Sequence, residues 1–390
     1  MLEYKQALRK VMKLAKARRA IPLPLEECLG CVLARERKSL VALPPFDNAA
    51  VDGYALGSLG SHTYCVRAEI RAGDSFKGTL TKGKAAQIFT GAPVPRGTKA
   101  VVMQEYTERV NGSVKVLKNS EKSENIRRSG EDVMRGTSLL KAGTILNPPQ
   151  LALLAASGYK SAAVFSPPKV SILVTGSEIT RPGGKLKSGK IFDSNSILLR
   201  SLVTQSGGVP VNVASVRDHA SKIRSSIVTG LESDLMLISG GVSVGKYDRV
   251  KDILEQEGVQ RIFWKVNIKP GKPLYFGKRG RCLVFGLPGN PVSVFVTFFL
   301  FVRPVLRKML GMREVREEIT GRMTTNYQNG IRRHFVRVRC EAHGKGYQVT
   351  PLKQQGSHMM VSLASANSLL EVAPRALLKR YQNVTVQRIS

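Results

Sequence analysis

The stretch VSILVTGSE, Val170–Glu178, decides the fold class of the middle of this chain. Its first six residues are mostly apolar or β-branched and stop at a glycine, which predicts a buried strand followed by a loop. Helical and strand patterns then alternate in the order Asn195–Ser206, Val211–Val216, 219–230, Leu235–Ser239 and 249–256, with Asp218 placed to cap the helix 219–230. This alternation predicts a parallel, doubly wound α/β sheet.

The regions on either side of this sheet have the pattern of β-rich modules. Short strand patterns broken by Gly, Pro and Asn occupy about 40–165, with turns such as Asn111-Gly112 between them. Similar patterns return from about 317, for example at Phe335–Cys340, and predict a terminal β domain.

Composition limits the class of protein. The chain has 390 residues, enough for two to four domains, and a formal net charge of +33. Because 42% of the residues are hydrophobic and 23% are charged, this excess does not indicate disorder. A basic surface attracts nucleic acid, anionic membranes or phosphorylated small molecules. The low aromatic content, 6% with one Trp, disfavours a platform that stacks single-stranded nucleic acid.

Residues 2–19 predict a basic amphipathic helix, with Lys5, Arg9, Lys13 and Lys16 on one face. One interpretation is that this basic face contacts a membrane or RNA. The other is that it is solvated, while the apolar face of the helix packs on the rest of the protein. We favour the second interpretation.

The cysteines, the apolar runs and the first residues lead us to expect an intracellular protein without a structural zinc site. The five cysteines are scattered, and Cys28-Leu29-Gly30-Cys31 is a lone C-x-x-C, which favours buried reduced thiols over a zinc or redox site. The most apolar run, Val292–Val302, is far shorter than the ~20 residues that span a bilayer. Met1–Lys5 lacks the pattern of a signal peptide, so we expect the cytoplasm and no membrane.

Three glycine-rich loops follow predicted strands of the α/β region, where ligands bind in such folds. They are Thr175–Glu178, Gly240–Asp248 and Gly286–Pro291, and none is a Walker A or dinucleotide-binding loop. Glycine lets backbone N–H groups approach a phosphate, so three such loops predict a phosphate or nucleotide site. Simple tight turns are the alternative.

The carboxylates in these loops are informative because acids are scarce, 28 against 61 basic residues. Glu178, Asp218 and Asp248 fall at strand-to-helix junctions on one expected edge, which predicts a Mg²⁺ site beside a phosphate. Helix capping is the alternative role for Asp218 and Asp248. Lys265 and Lys269 could hold an oxyanion or a pyrophosphate at the same edge, although exposed surface lysines explain their spacing nearly as well.

Six motifs cover nearly the whole chain. They are Pro45–Ala55 (PFDNAAVDGYA), Phe89–Pro95 (FTGAPVP), Gly130–Val133 (GEDV), Ser239–Gly245 (SGGVSVG), Ile268–Pro273 (IKPGKP) and Gly286–Pro291 (GLPGNP). In this order they resemble the MoeA family of molybdopterin molybdenumtransferases, which includes the E domain of gephyrin.

The resemblance implies an architecture and a reaction. The four domains would be a discontinuous linker domain (1–50 and 130–168), an inserted β-rich domain (51–129), an α/β molybdopterin-binding domain (169–316) and a C-terminal β-barrel domain (317–390). The protein would be a homodimer that inserts molybdate into adenylylated molybdopterin with Mg²⁺, releasing AMP and molybdenum cofactor. A separate molybdopterin adenylyltransferase is a candidate partner.

The resemblance also assigns residues, motif by motif. Five carboxylates would be catalytic: Asp52, Asp132, Glu178, Asp218 and Asp248, the last three also as metal ligands. Substrate would be bound by Thr90, Gly240, Gly241, Ser243, Gly245, Lys265, Lys269, Lys272, Pro288, Gly289 and Pro291, and by Arg332 and Ser357 in the terminal domain.

Two residues depart from the family pattern. Ser177 stands where an Asp usually precedes Glu178, and Lys246 replaces a common acid two residues before Asp248. Either change could alter metal affinity.

Two alternative functions are a related adenylyltransferase, disfavoured by the match to the β-rich regions, and a nucleic-acid- or scaffold-binding protein that kept the fold.

Overall fold

The computed structural model describes residues 1–74, 76–241, 249–312 and 317–389. They form two compact units. The first contains Met1–Ile21, Gly30–Ala34 and Ala163–Ser390, and the second contains Pro22–Leu29 and Arg35–Ala162. Two strands, Ala20–Pro24 and Ser161–Phe165, carry residues of both units.

The second unit is built on a six-stranded sheet. Its order is Ala100–Met103, Gly53–Leu56, Lys84–Ile88, Thr63–Ile70, Ser113–Val116 and Thr107–Val110. Only Thr63–Ile70 and Lys84–Ile88 pair in parallel. The other elements are the strand pairs Asn48–Ala49 with Ile126–Arg127 and Arg37–Lys38 with Ser138–Leu140, the 3₁₀ turns Leu25–Glu27 and Gln104–Tyr106, and the helix Pro148–Ala156.

The first unit contains the predicted α/β sheet. Its order is Val209–Val216, Lys169–Thr175, Leu235–Ser239, Cys282–Leu287, Tyr275–Arg279 and Gln260–Trp264. The first four strands are parallel, and Tyr275–Arg279 runs antiparallel to both of its neighbours, Cys282–Leu287 and Gln260–Trp264. Val170–Thr175 and Leu235–Ser239 are buried at every residue, the pattern of parallel strands covered on both faces.

Helices accompany this sheet as the alternation predicts. They are Asn195–Gln205, Ala220–Gly230, Arg249–Gln256, Pro291–Thr297 and Arg303–Met309, the last two joined by the π-helical segment Phe298–Val302. Pro291 occupies the first turn of its helix, where the missing N–H costs no hydrogen bond. The prediction that Asp218 caps the following helix was wrong, because that helix begins at Ala220 with His219 as its N-cap.

The terminal part of the first unit is a closed five-stranded barrel. The strands follow the order Arg333–His343, Gly346–Pro351, Glu318–Met323, Asn383–Arg388 and Ser368–Val372, which pairs again with Arg333–His343. The two-residue strand Ile268–Lys269 of the α/β region joins this sheet, parallel to Arg333–His334. Two short strand pairs, Ile179–Thr180 with Ile191–Phe192 and Tyr327–Gln328 with Leu377–Leu378, and the helix Met360–Ser365 complete the unit.

The N-terminal helix Tyr4–Leu14 packs its apolar face on the core of the first unit. The Tyr4 ring meets Phe301 and Phe335 edge-on, with ring centroids 5.6 and 5.1 Å apart. The four basic residues of the predicted polar face are exposed. The helix therefore has the packed arrangement that we favoured.

The fold class is confirmed as a multidomain protein with a doubly wound α/β domain and a C-terminal β-barrel. The four domain boundaries stay a prediction. Within the described ranges, no helix is both long enough and apolar enough to cross a membrane.

Candidate active site

A cavity of about 1100 Å³ opens in the first unit where the parallel strands end. Its walls come from the three glycine-rich loops, from the Lys269–Pro273 loop and from the barrel. The predicted site residues that line it are Glu178, Asp218, Gly240, Gly241, Lys269, Lys272, Pro288, Gly289, Pro291, Arg332 and Ser357. The topology thus gathers eleven of the predicted residues in one place.

Glu178 and Asp218 bring two carboxylates to the cavity. A Cβ at Gly176 would lie 2.8 Å from both carboxylate oxygens of Glu178, so glycine leaves the room that this side chain occupies. Asp218 Oδ2 accepts a hydrogen bond from the Ser177 N–H at 3.0 Å, and the Asp218 N–H donates to Ser177 Oγ at 3.4 Å. Ser177, one of the two departures from the family pattern, therefore holds Asp218 through two hydrogen bonds.

The Gly240-Gly241 turn packs closely on the end of the strand Lys169–Thr175. Gly240 has φ +89°, and a Cβ there would lie 2.3 Å from the Thr175 carbonyl oxygen. A side chain at this position would therefore clash with the strand backbone. This close approach explains the requirement for glycine.

Lys269, Lys272 and Arg332 bring positive charge to the cavity. The Arg332 guanidinium donates to the Ile268 carbonyl oxygen at 3.1 Å, which ties it to the strand that carries Lys269. Ser357 Oγ accepts a hydrogen bond from Asn290 Nδ2 at 2.8 Å, so the barrel wall is joined to the Gly286–Pro291 loop. These groups suit a tetrahedral anion or a phosphate.

A buried arginine and a buried histidine lie on the barrel strand Arg333–His343. The Arg337 side chain is fully buried and donates to the carbonyl oxygens of Gln354 and Gly356 at 2.7 and 3.1 Å. His334 Nδ1 lies 2.7 Å from the Tyr327 hydroxyl. Burial first, and then the nearby charges of Lys269, Arg337 and Arg332, lower the pKa of His334 to about 3. His334 is therefore neutral and leaves the positive charge to the lysines and arginines.

Some predicted residues are not in this cavity. Lys265 is not among its lining residues, and its Nζ lies over the Trp264 ring, 4.0 Å from the centroid. Lys251 Nζ lies 3.9 Å from the same centroid. Ser243, Gly245 and Asp248, with Lys246, lie outside the described residues.

Three predicted residues belong to the second unit. Asp52 Oδ1 accepts hydrogen bonds from both the N–H and the hydroxyl of Thr90, each at 2.7 Å. These bonds, the backbone one first, lower the pKa of Asp52, so its carboxylate is held in the charged form. Asp132 is exposed, and its N–H donates to the Leu43 carbonyl oxygen at 3.0 Å.

Sequence reasoning did not assign several polar residues of the cavity, among them Thr175 and Asn195. Both are buried and polar at the end of a predicted strand or the start of a predicted helix. A buried polar residue at such a junction is the signal that could have identified them. Across the part of the chain that the structure describes, no three His, Cys, Asp or Glu side chains cluster closely enough to hold a metal ion unaided.

A second cavity of about 630 Å³ adjoins the first and shares Gly176, Ile179 and Asp193 with it. Three arginines line this cavity: Arg181, Arg200 and Arg217. The positive charge around the site therefore extends beyond the predicted residues.

Family models match three consecutive parts of the chain. The MoeA N-terminal region (domain I and II) matches residues 2–158, a probable molybdopterin binding domain matches 171–308, and the MoeA C-terminal region (domain IV) matches 320–387.

Individual proteins are similar over nearly the full length. The chain is 35% identical to the molybdopterin molybdenumtransferase of Haemophilus influenzae over 357 residues, which cover 89% of this chain and 88% of the relative. It is 36% identical to the Nostoc enzyme of the same name, over 87% of this chain and 82% of the relative. The crystal structure of a molybdopterin biosynthesis MoeA protein from Pyrococcus horikoshii superimposes with a TM-score of 0.85 at 31% identity, covering 100% of this chain and 99% of that one. The chain belongs to the MoeA family of molybdopterin molybdenumtransferases.

Proposed function

We propose that this chain transfers molybdenum from molybdate to adenylylated molybdopterin with Mg²⁺, releasing AMP and molybdenum cofactor. One observation carries the proposal. A single cavity combines three carboxylates, Glu178, Asp193 and Asp218, with three cations, Lys269, Lys272 and Arg332. Opening a phosphoanhydride next to an oxyanion requires both kinds of charge. The carboxylates would hold the metal ion, and the cations would hold the phosphates and the oxyanion.

The cations and the barrel wall suit the anionic substrates. Molybdate is a tetrahedral dianion, and Lys, Arg and hydroxyl groups are its natural donors. Lys269, Arg332 and Ser357 meet this requirement because they come together where the barrel joins the Lys269–Pro273 loop. Backbone N–H groups of the glycine-rich loops would approach the phosphates.

Glu178 and Asp218 fit the predicted Mg²⁺. This ion is usually held by one or two carboxylates together with substrate phosphates and waters, so two carboxylates in the cavity are sufficient. Bound there, it would neutralise charge that develops on the phosphoanhydride. Ser177 orients the Asp218 carboxylate through its N–H.

The experiment mixes the full-length protein with adenylylated molybdopterin, molybdate and Mg²⁺ and measures AMP and active cofactor. We expect AMP release that depends on both molybdate and Mg²⁺. Glu178→Gln should lower the rate about 100-fold or more, because the side chain keeps its shape and loses its charge. The matched control is Glu318→Gln, an exposed glutamate outside the cavity, which should leave the rate unchanged.

Two results would count against the proposal. One is AMP release that is equal with and without metal. The other is a Glu178→Gln variant that turns over at the wild-type rate.

Further expectations accompany this function. We expect a homodimer in the cytoplasm, with a molybdopterin adenylyltransferase supplying the adenylylated substrate. Asp52, Thr90 and Asp132 of the second unit, and Ser243, Gly245 and Asp248, keep the roles that the resemblance assigns to them. The preference between molybdate and tungstate follows from the same assay with either oxyanion.

A further inference from the structure

The second cavity contains cations that the proposed function does not use. Arg181, Arg200 and Arg217 line this cavity, and none of the three lines the main one. They come from a loop, from the helix Asn195–Gln205 and from the end of the strand Val209–Val216. The fold thus brings three guanidinium groups from separate elements to one cavity.

These arginines have no carboxylate partner of their own. Among the described residues none of them forms an ion pair, and all three are exposed, so a ligand can reach them. Like charges that meet without counter-ions repel one another, and an anion placed between them removes the repulsion. The planar guanidinium fork matches a phosphate group in both shape and charge.

The balance of charge differs between the two cavities. The described residues that line the main cavity include three carboxylates and three Lys or Arg side chains, whose formal charges cancel. The second cavity has three arginines against one carboxylate, Asp193, which lines both cavities. Asp193 is 4% exposed, and its Oδ1 already accepts a hydrogen bond from the Ser196 N–H at 3.0 Å. Two positive charges therefore remain in the second cavity, which is the charge that a dianion neutralises.

The size and the walls of the second cavity favour an organic phosphate over a bare oxyanion. Its volume is about 630 Å³, within the range of sites for small organic ligands. Apolar side chains line it together with the arginines, namely those of Ile179, Ile197, Val213 and Val216. A bare ion gains nothing from such walls, whereas the organic part of a phosphate ester buries apolar surface against them.

We propose that the second cavity binds a phosphate monoester in its dianionic form. Arg181, Arg200 and Arg217 surround the phosphate, and the apolar walls contact the organic group. The site goes beyond the proposed function, which uses none of these arginines. Two sources have this chemistry: a separate organophosphate effector, and a phosphate group of the substrate or product. Both have access, because the two cavities share three lining residues.

The test is equilibrium binding of phenyl phosphate to the full-length protein, measured by titration calorimetry without Mg²⁺ at ~pH 8, where phosphate monoesters are dianions. Phenyl sulfate keeps the shape of this probe but carries a single charge. Inorganic phosphate keeps the charge but lacks the ring. We expect phenyl phosphate to bind about tenfold or more tightly than either compound. Equal binding of the three compounds would overturn the proposal.

Substitutions locate the bound probe. Arg200→Gln and Arg217→Gln should each weaken the binding of phenyl phosphate about tenfold or more, because the phosphate loses a charged donor. Arg322→Gln is the matched control, an exposed arginine on the barrel outside both cavities, and it should bind the probe like the wild type. Lys269 lines only the main cavity, so Lys269→Gln should weaken binding by less than about threefold. Unchanged affinity in both arginine variants, or a larger loss in Lys269→Gln than in Arg200→Gln, would overturn the site.

The AMP-release assay then distinguishes the two sources. If phenyl phosphate raises KM for the adenylylated substrate and leaves kcat unchanged, the cavity holds a phosphate group of the substrate or product. Any other response, with binding retained, identifies a separate organophosphate. Loss of the preference for phenyl phosphate with normal AMP release would overturn this inference alone. Binding that depends on the arginines, without metal-dependent AMP release, would support the site and reject the proposed reaction.

Discussion

Arg337 shows how a single residue far from the glycine-rich loops controls the wall of the cavity. Its side chain is fully buried, and it donates to two carbonyl oxygens of the segment that precedes Ser357. Hydrogen bonds from a charged donor in such a place are worth more than those at a surface. The position of Ser357 therefore depends on a residue that does not line the cavity.

We predict that Arg337→Met lowers the free energy of unfolding by about 2–3 kcal/mol, because the carbonyl oxygens of Gln354 and Gly356 lose the charged donor that the buried Arg337 side chain supplies. Urea unfolding measures the change. Arg339→Met on the same strand is the control, since Arg339 is exposed, and it should change stability by less than about 0.5 kcal/mol. Equal effects of the two substitutions would contradict the role of Arg337.

His334 predicts a dependence of stability on pH. Its pKa is lowered from 6.5 to about 3 in the folded protein, so the unfolded chain binds a proton between these values that the folded chain does not. The free energy of unfolding should therefore decrease as pH falls from about 6.5 towards 3, by up to about 1.4 kcal/mol per pH unit. Urea midpoints measured at several pH values should fall less steeply for His334→Gln than for the wild type. Identical slopes would contradict the assignment.

Only part of the site could be predicted residue by residue. Glu178 and Gly240 were predicted because the scarcity of acids and the clustering of glycines can be seen in the sequence itself. Arg337 did not, since one arginine among 61 basic residues gives no sign that it is buried. Asn195 was missed because the partners that orient it, Ser239 and Gly289, come from distant parts of the chain.

At the scale of elements, the N-terminal helix shows how the two faces of an amphipathic pattern are used: one is buried and the other is exposed. Tyr4, Ala7 and Val11 are buried in the core of the first unit, while Lys5 and Arg9 are exposed. The apolar face is therefore occupied within the protein. The basic face is solvated.

We predict that Tyr4→Ala destabilises the protein by about 3 kcal/mol, because a buried aromatic side chain and its edge-on contacts with Phe301 and Phe335 are lost. Replacing Lys5 and Arg9 by Gln should change stability by less than about 0.5 kcal/mol. Thermal and urea unfolding measure both. If the charge substitutions destabilise as much as Tyr4→Ala, the basic face contributes contacts that the packing does not explain.

The four parallel strands of the α/β sheet were predictable, whereas the strand Ile268–Lys269 was not. Long apolar runs such as Val170–Thr175 are recognised as strands from the sequence. A strand of two residues is too short to show a periodicity. The pairing of Ile268–Lys269 with Arg333–His334 depends on the barrel that follows much later in the chain. Asp218 was misassigned as a cap for a similar reason, because its hydrogen-bond partner Ser177 belongs to another loop.

At the scale of the whole molecule, the net charge of +33 is accompanied by a concentration of cationic side chains at the two adjoining cavities. Lys269, Lys272 and Arg332 lie in the main cavity, and three arginines line its neighbour. Charge of one sign around a cleft raises the rate at which anionic ligands arrive, and salt screens this effect.

We predict that kcat/KM for the anionic substrate falls about tenfold or more between ~0.05 M and ~0.5 M ionic strength, while kcat changes little. Steady-state kinetics in an inert salt such as potassium chloride measures both constants. A kcat/KM that does not respond to salt would mean that the excess charge does not guide the substrate.

The chain's single tryptophan has a practical consequence. Trp264 lies between the ammonium groups of Lys251 and Lys265, and Lys265 begins the segment that leads into the Lys269–Pro273 loop. Its fluorescence emission should respond to the charge and solvent around that segment. Unlabelled protein thus carries an intrinsic optical reporter five residues before Lys269, which lines the main cavity, with no second indole to obscure it.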